Sequence, residues 1–296
     1  MEKTEVIELV RVLWEGTTTN KRKKVFQTVH KSIPEEHQTL FRELSSHYFN
    51  GTIDLKESRV IILVHGIHTN GSWQQDVQEQ MFGIPCLRVQ ELGYELVTGF
   101  HFALFSRSGP INKIHNEIRT IQREEPLAKI SVIAHSFGTY IISKILEKDQ
   151  NIRFEKIITC GSVIPRNFNW QKHAPHTNSI NIINDVGTKD LWPVIANCST
   201  LGYGASGNQG FRTASVTDRY FNYGHSDFFE SINEHILKYW RPIFEDDTVP
   251  KSNSKLPKSS VLLLWFCHSR KGKILPFATY ILILILLAGT LSKMFF

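Results

Sequence analysis

Lys129-Ile130-Ser131-Val132-Ile133-Ala134-His135-Ser136-Phe137-Gly138-Thr139-Tyr140-Ile141-Ile142-Ser143 reads as a strand, a sharp turn and a helix in direct succession. Ile130 to Ile133 is the kind of apolar, β-branched run that forms a strand buried on both faces. A serine held in a strained strand-to-helix turn needs small residues two positions before it and two after. Ala134 and Gly138 occupy those positions around Ser136, with alanine where glycine is usual. Ser136 is therefore the candidate nucleophile, against the alternative of an ordinary turn serine.

A serine hydroxyl is a weak nucleophile at neutral pH and needs a histidine base, with a carboxylate to orient that base. It also needs donors for the oxyanion that develops during acyl transfer. Upstream, Val60 to Val64 reads as another buried strand, running into His65-Gly66-Ile67-His68-Thr69-Asn70-Gly71. A glycine after such a strand lets the backbone turn, so the Ile67 amide can face the serine. The Phe137 amide is the expected second donor; for His65-Gly66 the alternative is a plain hairpin turn.

Outward from these two strands, Val60–Val64 and Ile130–Ile133, apolar β-branched runs at Leu96–Leu104, Lys156–Thr159 and Ile180–Ile183 predict further strands. Helical stretches are expected near Gln74–Leu92, Ile111–Arg123, Gly138–Glu147 and Phe228–Trp240. The alternation predicts an α/β fold, a mostly parallel sheet flanked by helices, over residues 56–245. Residues 1–55 read as an N-terminal helical segment whose Val6, Leu9, Val10, Val12, Leu13 and Trp14 form one apolar stripe. A helical cap on the main domain is expected there, with a sensing or oligomerisation surface as the alternative.

With the strand into His65-Gly66, the elbow at Ser136, and acids and histidines following in the order Ser, Asp, His, the chain resembles the α/β-hydrolase superfamily of serine esterases and lipases. The resemblance covers roughly Val60 to Trp240. It implies an acid in the loop after the strand ending at Ile183. Asp190, in Gly187-Thr188-Lys189-Asp190-Leu191-Trp192-Pro193, has the family spacing; Asp185 is the alternative, expected at the strand end as a cap or brace. It also implies a base on the loop before the last helix, where Tyr223-Gly224-His225-Ser226 offers His225. His173 and His176 precede the acid, and His235 is expected on the outward face of a helix. The His135 side chain is expected to project away from that of Ser136. His65, Gly66, His68, Trp73 and Trp192 are the expected substrate-binding residues, and Gly202 to Gly210 reads as a mobile loop near the site.

The remaining features bound the setting. Residues 246–260 form a linker by composition, and 261–296 a membrane-anchoring region. Ile274 to Leu291 is about 18 residues without a charge, close to what a helix needs to cross a bilayer. Arg270, Lys271 and Lys273 precede it and only Lys293 follows, so the positive-inside bias predicts a tail anchor with the hydrolase domain facing the cytoplasm. A loose similarity extends to small tail-anchored bacterial hydrolases of the defence-effector type. The formal charge of +6 carries no aromatic-basic stripe, so nucleic acid is not an expected partner. Cys86, Cys160, Cys198 and Cys267 lie far apart, without metal or disulfide spacing, and neither metal nor cofactor is expected. The expected activity is ester hydrolysis on a lipid or acylated substrate. A catalytically inactive membrane adaptor and a partner-switched effector are the alternatives.

Overall fold

The computed structural model describes residues 58–66, 72–84, 86–94, 107–126, 128–175, 177, 181–199, 202–230 and 234–252, with parts of the segment between 5 and 45. Among the described residues six strands form one sheet: β1 (Arg59–Val64), β2 (Leu87–Leu92), β3 (Lys129–His135), β4 (Ile157–Cys160), β5 (Ile182–Gly187) and β6 (Thr217–Phe221). Their spatial order is β2-β1-β3-β4-β5-β6, and every neighbouring pair is parallel. From residue 58 on, the helices among the described residues are α1 (Ser72–Met81), α2 (Ser108–Glu124), α3 (Phe137–Lys148), α4 (Trp170–His173), α5 (Trp192–Ser199), α6 (Ser206–Gln209) and α7 (Arg241–Glu245). A 3₁₀ turn at Asp227–Phe229 and a π turn at Ile236–Trp240 precede α7.

Side chains alternate across the sheet, which is why its strands are apolar throughout. Val60, Ile62, Val64, Val132 and Ala134 share one core layer with Ile114 and Ile118 of α2 and Ile141 and Ile145 of α3. Ile61, Leu63, Ile133, Ile158 and Ile183 point the other way, onto Trp73 and Val77 of α1 and onto Trp240, Ile243 and Phe244. The chain goes from β1 outward to β2 and then back across to β3. That reversal opens a crevice at the carboxyl ends of β1 and β3, where open α/β sheets hold their ligands. Val64 and Ala134 are register partners there, one step before His65 and His135.

Several boundaries differ from the sequence reading. The helix expected over Gln74–Leu92 ends at Met81, and Leu87–Leu92 is a strand. Gly83 (φ 84°) and Cys86 (φ 56°) take left-handed conformations that break the helix. Among the described strands β2 lies at the sheet edge, with mostly half-exposed side chains, and it carries no apolar run. The strand expected over Leu96–Leu104 lies outside the described residues.

Strand β5 begins at Ile182 and runs on through Asn184 and Asp185 to Gly187, so Asp185 is inside a strand rather than at its end. In place of one helix over Phe228–Trp240 there are the 3₁₀ and π turns and α7. In the N-terminal segment Val6 and Val10 are buried with Phe26, Ile33 and Phe41, while Val12 is exposed and leaves the expected stripe. The Phe26 ring packs 6.3 Å from that of Phe82, just past α1. The start of the expected linker is docked: Val249 packs on the core and the Pro250 carbonyl accepts from Arg219 Nη1 at 3.3 Å. Among the described residues no helix is long and apolar enough to cross a membrane. The expected span at 274–291 lies outside them.

Candidate active site

Ser136 sits between β3 and α3 with φ 53° and ψ −121°, a conformation strained for a residue with a side chain. Its amide donates to the Cys160 carbonyl at 3.1 Å, which ties the turn to the end of β4. The small residues around it have a steric reason. A Cβ on Gly138 would lie 2.3 Å from the Val64 carbonyl oxygen, so only glycine lets the start of α3 rest on the end of β1. A Cβ on Gly66 would lie 2.7 Å from Ser136 Cβ.

His225 arrives on the loop after β6. Its Nε2 is 3.0 Å from Ser136 Oγ, and its Nδ1–H donates to Asp190 Oδ2 at 2.8 Å. The Asp190 side chain is fully buried, and its other oxygen accepts from the Trp192 amide at 3.0 Å. The Asp190 carbonyl accepts from Asn208 Nδ2 at 2.8 Å. Serine, histidine and aspartate thus form one hydrogen-bonded chain leading from the crevice into the protein, able to pass a proton from Ser136 Oγ to a properly oriented imidazole.

The rival residues have other partners. Asp185 is buried among Arg219, His235 and Trp240 and touches neither Ser136 nor His225 in its hydrogen bonding. His235, expected on an outward face, is fully buried with its Nε2–H donating to Asp185 at 2.9 Å. The element that follows it is a π turn packed against the core, with Ile236 and Trp240 buried, in place of a surface helix. Burial, with Asp185 and Asp190 nearby, pushes the Cys160 thiol well up, so this buried cysteine is a poor competing nucleophile.

Of the expected oxyanion and binding residues, Ile67 and His68 lie outside the described ones. Phe137 is the first residue of α3, directly after Ser136. Its ring meets Tyr94 edge-on at 5.8 Å. His65 is largely buried, stacked on Tyr94 at 4.5 Å, and its Nδ1–H donates to the Gly66 carbonyl at 2.7 Å. Trp73 is buried and stacked on Phe229 at 4.5 Å, so it packs beneath the site instead of lining its entrance. Trp192 is 62% exposed, with its ring centre 6.3 Å from that of His225.

The segment Gly202–Gly210, expected to be mobile, is pinned. Ser206 Oγ donates to the Ile164 carbonyl at 2.8 Å, and a Cβ on Gly207 would meet the Ser162 amide at 2.1 Å. Its glycines serve close packing, and Asn208 reaches from it to Asp190. His135, set aside in the sequence, lies against His225 with ring centres 4.6 Å apart. Its place next to Ser136 was the available signal. Among the described residues no group of three or more His, Cys, Asp or Glu side chains could hold a metal ion.

The chain is similar to LpqC, a poly(3-hydroxybutyrate) depolymerase from Bordetella parapertussis, at 10% identity and a TM-score of 0.44, covering 70% of this chain and 83% of that one. It is similar to a thermostable esterase from Pseudomonas putida at 10% identity and a TM-score of 0.39, covering 92% and 96%. A Trichoderma reesei cutinase in complex with a phosphonate inhibitor gives 12% identity and a TM-score of 0.34, covering 73% and 97%. No curated protein sequence matches the chain. Residues 54–168 match the family described as "Putative serine esterase (DUF676)". That match spans β1, the His65-Gly66 turn and the elbow at Ser136, and with it the chain is a serine ester hydrolase.

Proposed function

We propose that Ser136, His225 and Asp190 are the catalytic triad of a membrane-tethered hydrolase acting on a lipid or other acylated ester. The observation that carries the reading is the chain of contacts from Ser136 Oγ to His225 Nε2 at 3.0 Å and from His225 Nδ1 to Asp190 at 2.8 Å. Ser136 Oγ attacks the ester carbonyl while His225 Nε2 takes the hydroxyl proton, and Asp190 holds Nδ1–H and stabilises the imidazolium. The amides of Phe137 and Ile67 receive the oxyanion, a term on the order of 3 kcal/mol per donor. The tetrahedral intermediate collapses to an acyl-enzyme as His225 returns its proton to the departing alkoxide. Water, deprotonated by His225, then releases the acid and restores Ser136.

An apolar substrate is supported by the surface beside the acid. Leu191, Trp192 and Ile195, within five residues after Asp190, are 58%, 62% and 51% exposed. Membrane tethering, with the hydrolase domain on the cytoplasmic side, is supported by the uncharged run Ile274–Leu291 and the basic residues before it.

A fluorophosphonate probe on the full chain tests the triad: wild type becomes labelled and Ser136→Ala does not. Equal labelling of both, or of neither, would sink the triad and favour the adaptor. Lipid profiles of cells expressing each form test the substrate, because an unchanged lipid profile with changed protein acylation points to a thioester instead.

A further inference from the structure

His135 precedes the candidate nucleophile, is fully buried, and has no part in the proton path. Its Nε2 lies 3.0 Å from the main-chain carbonyl of His225. A carbonyl can only accept, so Nε2 carries the proton, and a neutral imidazole then has a bare Nδ1. That Nδ1 is buried without a hydrogen-bond partner among the described residues. The ring is thus committed to one bond, at the expense of its second nitrogen.

The packing around that bond is specific. The His135 ring is tilted 46° to that of His225 and meets Phe229 edge-on at 5.0 Å. Gly161 takes φ 55°, and a Cβ there would fall 2.9 Å from His225 Cε1 and 3.1 Å from His135 Nε2. Only a glycine lets both imidazoles approach at that point.

The loop carrying His225 has other ties, from the Lys189 amide to the Tyr223 carbonyl at 3.0 Å and from the Gly224 amide to Asp227 at 2.8 Å. Neither comes from β3, the strand that leads into Ser136. The His135 bond does, from the residue next to the nucleophile. Burial and then the neighbouring His225, with a smaller push from His65, hold the His135 imidazole well below its usual value, against the hydrogen bond to the His225 carbonyl. It therefore adds no cation beside His225 when that ring takes the serine proton.

We propose that His135 is a positioning residue for the catalytic base, holding the His225 carbonyl through Nε2–H and walling the slot in which the His225 imidazole meets Ser136. This rests on the reading of Ser136, His225 and Asp190 as the triad. The test measures kcat, KM and the rate of fluorophosphonate labelling on full-length variants. His135→Leu, which keeps bulk and loses the donor, should lower kcat about 10- to 100-fold with KM nearly unchanged, the size expected of a small misplacement of a reacting group. His135→Gln places an amide N–H where Nε2 was and should restore most of the rate.

A folded His135→Leu protein working at the wild-type rate would overturn the proposal, as would a Gln variant no better than Leu. If the Leu variant does not fold, Gln is compared with His135→Asn, whose amide is too short to reach. A faster Gln variant supports the proposal and equal rates overturn it. Failure of the triad reading is seen separately, as a wild type that is not labelled or a Ser136→Ala that is.

Discussion

Arg219 grips Asp185 with a pair of hydrogen bonds, Nε to Oδ1 at 2.7 Å and Nη2 to Oδ2 at 2.8 Å, and neither side chain is more than 2% exposed. Oδ2 also accepts from His235 Nε2 at 2.9 Å and Trp240 Nε1 at 2.7 Å. One carboxylate thereby joins β5, β6 and the segment leading into α7. Breaking one partner of such a buried pair leaves the other charge uncompensated, at about 3–5 kcal/mol. Asp185→Asn is expected to lose stability on that scale in urea titrations, while the molecules still folded retain esterase activity. A full loss of activity with unchanged stability would transfer the catalytic role to Asp185.

Asp190→Asn should behave in the opposite way. The amide can still occupy the site, but it no longer fixes the His225 tautomer with Nδ1–H toward the acid. The expected loss in kcat is on the order of a thousandfold or more, with KM little altered. Steady-state kinetics on a soluble short-chain ester, beside a thermal melt, decides it.

The same two strands set a pH window for stability. Burial opposes ionisation of Asp185, yet the Arg219 charge and the His235 hydrogen bond outweigh it and hold the carboxyl well below the usual range. A depressed carboxyl contributes stability above its unfolded value of about 3.9, and that is lost as pH falls. Asp218 goes the other way: burial pushes it up to about 6, despite hydrogen bonds from Asn184 and the Phe211 amide. Its contribution is complete below about 3.9 and lost as pH rises through 6, on the order of 2–3 kcal/mol. Chemical denaturation between pH 4 and 8 should show wild type weakening relative to Asp218→Asn as pH rises. Parallel curves would remove Asp218 from the account.

Gly66→Ala probes the crevice between β1 and β3. The added methyl would press on Ser136 Cβ from 2.7 Å and on Oγ from 3.2 Å. Moving the nucleophile by that overlap should cost about a hundredfold in kcat/KM. Fluorophosphonate labelling at matched folded fraction measures it, and a rate within threefold of wild type would contradict the geometry.

What was legible in the sequence followed from locality. The elbow at Ser136 is a strand, turn and helix contiguous in the chain, so its small flanking residues could be read directly. Asp190 and His225, named by chain order, lie in one hydrogen-bonded chain with Ser136. Strand β2 was hidden because its edge position leaves Arg88, Gln90 and Glu91 on half-exposed or exposed faces, without the apolar run of a buried strand. In β5 a buried Asn184 and Asp185 resemble a loop until their partners are known. Thr159, Ser206 and Asp218 serve the first, and Arg219, His235 and Trp240 the second. Those partners stand 22 to 55 residues away. No local pattern carries that information.

Trp192 offers the sharpest handle on substrate. It opens α5 two residues after Asp190, and its amide already serves the acid by donating to Asp190 Oδ1 at 3.0 Å. Its ring is left in solvent near His225, together with Leu191 and Ile195. Covering an exposed aromatic side chain of this size with an acyl chain is worth roughly 1.5–3 kcal/mol at full burial, and partial cover gives less. Trp192→Ala keeps the backbone donor and removes the ring. Across a series of p-nitrophenyl esters from acetate to decanoate, kcat/KM should therefore fall about tenfold for the longest chains and much less for acetate. A uniform fall along the series would instead mean that the ring positions His225, and the apolar surface beside the acid would lose its role in choosing substrate.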